Sequence, residues 1–436
     1  MRKRMAWAAV LLLTLPSWAA PAESAPQSPA APAQTALPAA SERISLDDAI
    51  RLALQQNHAL QAIRTTILQN QAQEVTANLR PNPVLSWDAQ FLPIFEPDKF
   101  TSDWIENQAQ FDLGISYLFE IGKKRQHRLR AARDVTEQTR LQVTDSERML
   151  TFNVAQQFIA ALLAQSTLQF AEQNLASFEK SVGISEARRN AGNMSEGDLL
   201  KIKLQLLQFQ TDLASAKVAK VQALAALRQF VGFESVPDAF DVAGDLDYQA
   251  VHGGLDEFKA MALRTRPDLM AARQGVIASQ SAEKLAEANV HRDLGTTFNY
   301  SHISSTNTGA FFFNIPLPIF DRNQGEVART KYVITQSQQL AQEASQQVLT
   351  DVVDAYYSLR TNDEIIRLYR GGYVDMAKES RDISEYAYKR GAASLLDYLD
   401  SERSYRANQL AYRQALANYM VAVEQMRQAV GSRNLP

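Results

Sequence analysis

The chain has 436 residues, enough for two or three ordinary domains, yet it carries no cysteine, a net charge of -3, 46% hydrophobic and 21% charged residues. That balance excludes a disulfide framework and an acylated-cysteine anchor, and it supplies neither the basic surface that holds nucleic acid nor an acidic tail. Hydrophobic periodicity argues instead for one extended object.

Arg2, Lys3 and Arg4 precede an apolar run from Met5 to Leu15 and the small residues Ala19, Ala20 and Ala22. This order is that of a secretory signal peptide, assigned to residues 1–20, with a run too short to span a bilayer. Residues 21–42 are rich in Pro, Ala and Ser without periodicity and are expected to be a flexible lead-in. No later segment approaches the roughly 20 apolar residues of a membrane helix.

Ser45 and Asp48 stand three apart, the spacing of a helix cap, ahead of an apolar face formed by Leu46, Ala49, Ile50, Ala53 and Leu54. One helix is predicted from here to the breaker Arg80-Pro81-Asn82-Pro83. The period then becomes strictly alternating, which is the mark of a strand with two unlike faces. Leu85, Trp87, Ala89 and Phe91 oppose Ser86, Asp88 and Gln90. After a loop over 92–106, Ala109, Phe111, Leu113, Ile115, Tyr117 and Phe119 oppose Gln108, Gln110, Asp112, Gly114 and Ser116. From 122 to 190 there is no proline and only Gly183 as a possible breaker, so a helix here reaches about 100 Å. Val154, Phe158 and Leu162 give it a coiled-coil-like seam. A turn at Gly192 and Ser195 returns the chain through a second helix to Val231.

The same order then begins again. Leu255-Asp256-Glu257 opens a helix in which Ala262, Leu263 and Leu269 match Ala53, Leu54 and Leu60. It is predicted to reach His291-Arg292-Asp293. Phe298 and Tyr300 against Thr297, Asn299 and Ser301 form a third strand. After a loop over 304–308, Phe311, Phe313, Ile315 and Leu317 against Phe312, Asn314 and Pro316 form a fourth. A proline-free helix over 324–389, interrupted only at Gly371-Gly372, carries Val348, Val352, Tyr356 and Leu359 at its seam. The turn at Gly391 and Ser394 leads to the last helix.

The two turns are copies. Ile184-Ser185-Glu186, Gly192, Ser195, Asp198 and Leu200 recur as Ile383-Ser384-Glu385, Gly391, Ser394, Asp397 and Leu399, and the register holds to Val231-Gly232 against Val430-Gly431. Two structural repeats follow, 43–235 and 254–431, with a linker at 236–253 and a tail at 432–436. In each tip, glycine can adopt the left-handed conformation that ends a helix, and serine can cap the next one.

The strands fit either a half-buried sheet on a soluble core or a membrane wall. Their length of about 9–11 residues, the aromatics Trp87, Phe91, Trp104, Tyr117 and Phe119, and the signal peptide suit the wall. Four strands cannot close a barrel, since small ones need about eight. Open edges are not tolerated in lipid, so several chains must share one barrel.

The order of elements, Pro81-Asn82-Pro83 before a strand, Gly122-Lys123-Lys124-Arg125 after the second, and residues 316–325 (Pro-Leu-Pro-Ile-Phe-Asp-Arg-Asn-Gln-Gly) after the fourth resemble the TolC-like outer membrane efflux family of Gram-negative bacteria. The Asn-Pro and Asp-Arg-Asn-Gln-Gly stretches are similar to its heavy-metal, cobalt-zinc-cadmium branch. The resemblance implies a mainly α fold with a small β part: long helical hairpins and four transmembrane strands per chain, forming a homotrimeric α-barrel/β-barrel channel. It implies a passive duct through outer membrane lipid and across the periplasm. Its partners would be a periplasmic adaptor protein and an inner-membrane pump, of the RND rather than the ABC type. The cargo stays open between metal cations, drugs and exported polypeptide. By the same resemblance Asp397 and Asp400, with Asp198 at the matching place in the first half, line the periplasmic entrance, and Tyr388 belongs to the gate. The gate arginine of the best-known member is replaced by Ala393. Gly192, Ser195, Gly391 and Ser394 mark the adaptor-contacting tips. Asp397 also has the spacing of a capping residue, whereas Asp400 does not, and Lys201 occupies the place that matches Asp400.

Chemistry of other kinds finds no residues to carry it. His58, His127, His252, His291 and His302 are scattered, so neither a metal site nor a cofactor is expected. Gly122-Lys123-Lys124 lacks the remainder of a phosphate loop, no nucleophile elbow is present, and no enzyme is expected. A secreted coiled-coil scaffold with a small β tip explains the helices and the repeat, but it leaves an apolar strand face in water.

Overall fold

The computed structural model describes residues 43–304 and 306–435. The expected signal peptide, the lead-in over 21–42 and the last residue of the tail lie outside the described residues.

The first half runs β1 (Arg43–Ile44), α1 (Leu46–Gln56), α2 (His58–Asn78), β2 (Val84–Gln90), a short turn of 3-10 helix, α3 (Ser102–Asn107), β3 (Gln110–Phe119), α4 (Lys124–Asn190) and α5 (Glu196–Val231). The second runs β4 (Asp241–Val242), α6 (Leu255–Thr265), α7 (Pro267–Ala288), β5 (Leu294–Ile303), β6 (Thr306–Asn314), α8 (Gln324–Leu368), α9 (Val374–Arg390) and α10 (Leu395–Val430). The 67-residue α4 is unbroken through Gly183, about 100 Å at ~1.5 Å per residue. α4 and α8 both begin after a residue in the left-handed region, Lys123 at φ 57° and Asn323 at φ 59°.

Each predicted opening helix is in fact two. Asn57 ends α1 at ψ 112° and caps α2, its Oδ1 accepting from the Leu60 amide at 3.0 Å. Its amide group also donates to the Phe230 carbonyl at 3.1 Å. Arg266 makes the corresponding break between α6 and α7, where Pro267 disfavours a helical residue before it. Its guanidinium donates to the Ala429 carbonyl at 3.3 Å. In both places a polar side chain from the break satisfies a carbonyl at the end of the returning helix.

Two cores flank these breaks. Ile50, Leu52 and Ala53 of α1 pack with Val154, Phe158 and Leu162 of α4 and with Leu227 and Val231 of α5. Phe258 and Ala262 of α6 pack with Val348, Val352 and Leu359 of α8 and with Tyr419, Met426 and Val430 of α10. The expected linker joins the first core: β4 pairs in parallel with β1, and Val236, Phe240 and Val242 are buried there.

The sheet order is β2-β3-β5-β6, all antiparallel. Helices extend the same lateral order, with α2 along α4, α4 along α7 and α7 along α8 near the sheet. Nearer the tips, α5 lies along α4, α4 along α10 and α10 along α9. Three expectations are corrected here. The fourth strand spans Thr306–Asn314 rather than reaching Leu317, because Ile303 already pairs with Thr306 through a tight turn at Ser304 (φ 46°). Beyond Asn314, Pro316 and Pro318 have no N–H for a ladder. Phe91 lies past the end of β2 at φ 57°, and Trp104 stands on α3 within the β2–β3 connection.

The helix over 324–389 is interrupted where expected. Residues 369–373 form one widened turn in which Gly372 takes φ 111°, a conformation that disfavours any side chain.

Candidate functional site

The two tips have the same backbone. α4 ends with Gly192 at φ 77° and the Asn193 amide donating to the Arg188 carbonyl at 2.8 Å. Likewise α9 ends with Gly391 at φ 76° and the Ala392 amide donating to the Ala387 carbonyl at 2.8 Å. This is the left-handed helix stop, followed by a serine cap. Ser195 Oγ accepts from the Asp198 amide at 3.1 Å, and Ser394 Oγ accepts from the Asp397 amide at 3.1 Å.

Their carboxylates differ. Asp397 returns to the cap, accepting from Ser394 Oγ at 2.7 Å and from its amide at 3.3 Å, so the second tip closes a full capping box. Asp198 instead accepts from Lys201 Nζ at 3.3 Å, and hydrogen bonding to Ser195, reinforced by Lys201, holds its carboxyl below the ordinary carboxylate range. Asp400 accepts from Arg403 at 2.5 Å on the exposed side of α10. Asp397 and Asp400 stand one turn apart on the same helix, and each engages its own local partner.

Tyr388 is buried. Its hydroxyl lies 3.0 Å from Ser185 Oγ, and its ring stacks on Tyr398 at 5.2 Å with 8° between planes. Tyr398 continues to Phe178 at 6.4 Å, and Phe178 to Phe209 at 4.4 Å. One aromatic column therefore ties α9 and α10 to α4 and α5. Each such pair adds about 0.5–1.5 kcal/mol beyond its area burial. Arg188 reaches across from the first hairpin, donating to the Tyr388 carbonyl at 2.7 Å with its guanidinium 5.2 Å from the ring centre. Position 393, expected from the resemblance to carry the gate arginine, is alanine, and the arginine that meets Tyr388 is Arg188 of the first hairpin. The signal available was an arginine pair one turn before Gly192, whose counterparts in the second half are Ala387 and Tyr388. Between the tips lies a groove of about 460 Å³ lined by Arg188, Asn193, Met194, Lys201 and Leu396 among others.

Above the column, cations lie on rings: Arg381 on Tyr405 at 4.5 Å, Arg406 on Phe209 at 4.2 Å and Arg413 on Phe170 at 4.2 Å. Arg406 is also paired with Asp212. Burial lowers the pKa of Arg406 and Arg413 from the ordinary arginine value.

At the sheet, the face inverts the pattern of a water-soluble protein. Trp87 is 69% exposed, and Leu113, Ile115, Phe119, Phe311 and Phe313 are exposed with it. On the opposite face Asp112 is buried, accepting from Gln110 at 2.7 Å, Gln90 at 3.3 Å and Asn299 at 3.4 Å. Tyr117 and Phe119 meet edge to face at 4.8 Å, and Trp104 donates its indole N–H to the Phe91 carbonyl at 2.8 Å. No described helix is long and apolar enough to cross a membrane, and no group of three or more His, Asp or Glu able to hold a metal occurs among the described residues.

Residues 49–233 and 260–432 match the family described as outer membrane efflux protein. The chain belongs to that family. Membership puts it in the outer membrane, among channel proteins rather than enzymes. Relatives of this efflux protein include the cation efflux system protein CusC of Escherichia coli, 26% identical over 318 residues that make up 68% of this chain and 67% of the relative. The pyoverdine export outer membrane protein OpmQ of Pseudomonas putida is 24% identical over 87% of this chain and 84% of its own. The cobalt-zinc-cadmium resistance protein CzcC of Cupriavidus metallidurans is 23% identical over 83% and 84%. Among solved structures, a membrane protein of Pseudomonas aeruginosa superposes with a TM-score of 0.75 at 19% identity, covering 88% of this chain and 92% of that one. CusC superposes with a TM-score of 0.72 at 19% identity, covering 92% and 96%. These likenesses establish the TolC-like channel fold.

Proposed function

We propose that this efflux protein is the passive exit duct of a tripartite efflux system, a homotrimer whose two structural repeats per chain contribute four strands to one shared barrel. The carrying observation is that both lateral margins of the protomer are unfinished. Among the described residues, β2 and β6 end the sheet with one edge each unpaired. Below them, the outer helices keep apolar side chains in the open. On α5, Leu200, Leu204, Leu207, Thr211, Ala214, Val218, Val221 and Ala225 follow one another at alternating steps of four and three, and Leu204 is 69% exposed. That is a coiled-coil seam without its second helix. On the opposite margin, α9 exposes Met376 and Ile383, seven residues apart. The two margins are different surfaces, so copies join head to tail, and a head-to-tail contact with the right rotation closes a ring. Three copies bring twelve strands, and the apolar face meets lipid while the Asp112 face lines water.

In this reading Trp87, Tyr117 and Phe119 lie at the lipid wall. Gly192, Ser195, Gly391 and Ser394 form tips that meet a periplasmic adaptor, with an RND-type pump beneath. Asp397 and Asp400 ring the entrance and draw cations. Metal cations are the favoured cargo, because CusC and CzcC are named for cation efflux and for cobalt-zinc-cadmium resistance. A duct for organic cargo is the second reading, favoured by OpmQ, which aligns over more of the chain than CusC does.

The test is the mass of the detergent-purified protein together with its conductance in planar bilayers. A trimer with small, cation-selective openings, blocked by a trivalent cation in wild type and not in Asp397→Ala/Asp400→Ala, is the expected result. A soluble monomer that never conducts sinks the duct and leaves a scaffold.

A further inference from the structure

We propose that Glu402 sets the protonation-dependent closure of the joint between the two hairpins: the joint is packed while Glu402 is neutral and loosens when it ionises. Glu402 lies on α10 one turn above Tyr398 and is only 6% exposed. Among the described residues its carboxylate accepts no hydrogen bond, an expensive condition for a buried charge. The groups that face it from α9 are two carboxylates, Asp382 and Glu385, and one cation, Arg381. Arg381 is shared, standing 2.8 Å from the Asp382 carboxylate and over the Tyr405 ring. Glu385 is held by Lys389 at 2.6 Å. From α4 comes a hydroxyl that links the first hairpin to this cluster: Ser181 Oγ donates to Glu385 at 3.4 Å and accepts from Tyr398 OH at 3.1 Å. On α10 itself Tyr398 and Tyr405 are the neighbouring titratable groups, both pushed up chiefly by burial.

Burial first, then the Glu385 and Asp382 charges, raise the Glu402 carboxyl to about 7, against an opposing pull from Arg381. The sign follows. In a loosened joint Glu402 is hydrated and ionises near its ordinary 4.5, whereas in the packed joint it holds its proton to about 7. Low pH therefore favours the packed joint, and that preference falls away as pH rises from about 4.5 through about 7, becoming constant above. Asp397 and Asp400 are exposed and lie outside this cluster, so the device is separate from the entrance carboxylates.

The absence of cysteine from the chain makes the joint easy to read. Spin labels on E196C and L396C, both at exposed first-turn positions of α5 and α10, report the distance between the tips in the full-length purified protein. From pH 5.5 to 8.5 the wild-type background should show a longer-distance population that grows up to about pH 7 and is constant above it. Glu402→Gln should hold the short distance throughout, and Glu385→Gln should reach the plateau at a lower pH. A pH-independent distance in the wild-type background, or a Glu402→Gln profile that matches it, overturns the proposal. Conductance measured over the same range carries the part that rests on the duct reading. A distance change without conductance defeats the duct and leaves the joint standing, whereas conductance with an unmoved distance defeats the joint alone.

Discussion

The first and second hairpin tips have one backbone and two chemistries. Gly192 and Gly391 turn at φ 77° and 76°, and serine caps both outgoing helices. The side chains around that turn have parted. The first tip offers Arg188, Arg189 and a carboxylate committed to Lys201, while the second offers a buried tyrosine, a closed capping box and Asp400 facing water. The turn is thus a structural requirement met twice, and whatever is specific to this channel resides in what the second tip added and in how Arg188 of the first answers it.

The comparison is broken most severely at Tyr388. Tyr388→Ala removes a ring from the column that joins all four helices, a loss on the order of 3–5 kcal/mol of local packing. Its counterpart Arg189→Ala, at a half-exposed position, should change stability by no more than about 0.5 kcal/mol. Limited proteolysis at the tips of the folded protein should cut the first variant rapidly and spare the second. Equal rates would show that the column does not hold the hairpins together.

Arg188→Ala comes next. It loses one bond to the Tyr388 carbonyl and the contact with the ring, about 1.5–3 kcal/mol in sum, and single-channel recordings should show longer or larger openings than wild type. Arg188→Lys keeps the charge without the planar guanidinium and should recover only part of the effect. Unchanged openings in Arg188→Ala would show that this contact does not restrict the channel.

The finest distinction is between the caps. Ser394→Ala should weaken the first turn of α10 by about 1 kcal/mol, and Ser195→Ala the first turn of α5 by somewhat less, since only the second tip returns a carboxylate bond to the cap. Amide hydrogen exchange at those turns measures both. A larger loss in α5 than in α10 would mean that the closed box adds nothing.

Much of this architecture was legible in the sequence because it is written in period and punctuation. Alternation located all four strands and their apolar faces, the missing prolines measured α4, and glycine and serine marked both tips. The break at Asn57 was hidden because asparagine within a helical pattern is only weakly unfavourable, and the bond that gives it meaning goes to Phe230, 173 residues away. Arg188 and Glu402 were hidden for a related reason. On helices rich in polar residues, a charged side chain reads as solvated until a neighbouring helix covers it. α3 was missed because it is six residues inside a connection, too short for a periodic signal. The fourth strand was shifted because Phe311, Phe312, Phe313 and Ile315 are apolar on both faces, which blurs the alternation that fixes register.

The widened turn at Gly371 and Gly372 has no counterpart in α4, and this gives the two hairpins unequal mechanics. A push on the first tip travels along 67 unbroken residues to the strands, as along a stiff rod. On the second, the arm above Gly391 is only the 17 residues of α9, a lever of about 26 Å that ends at a glycine pivot. Gly372 at φ 111° gives that lever a point of bending that α4, unbroken through Gly183, does not have.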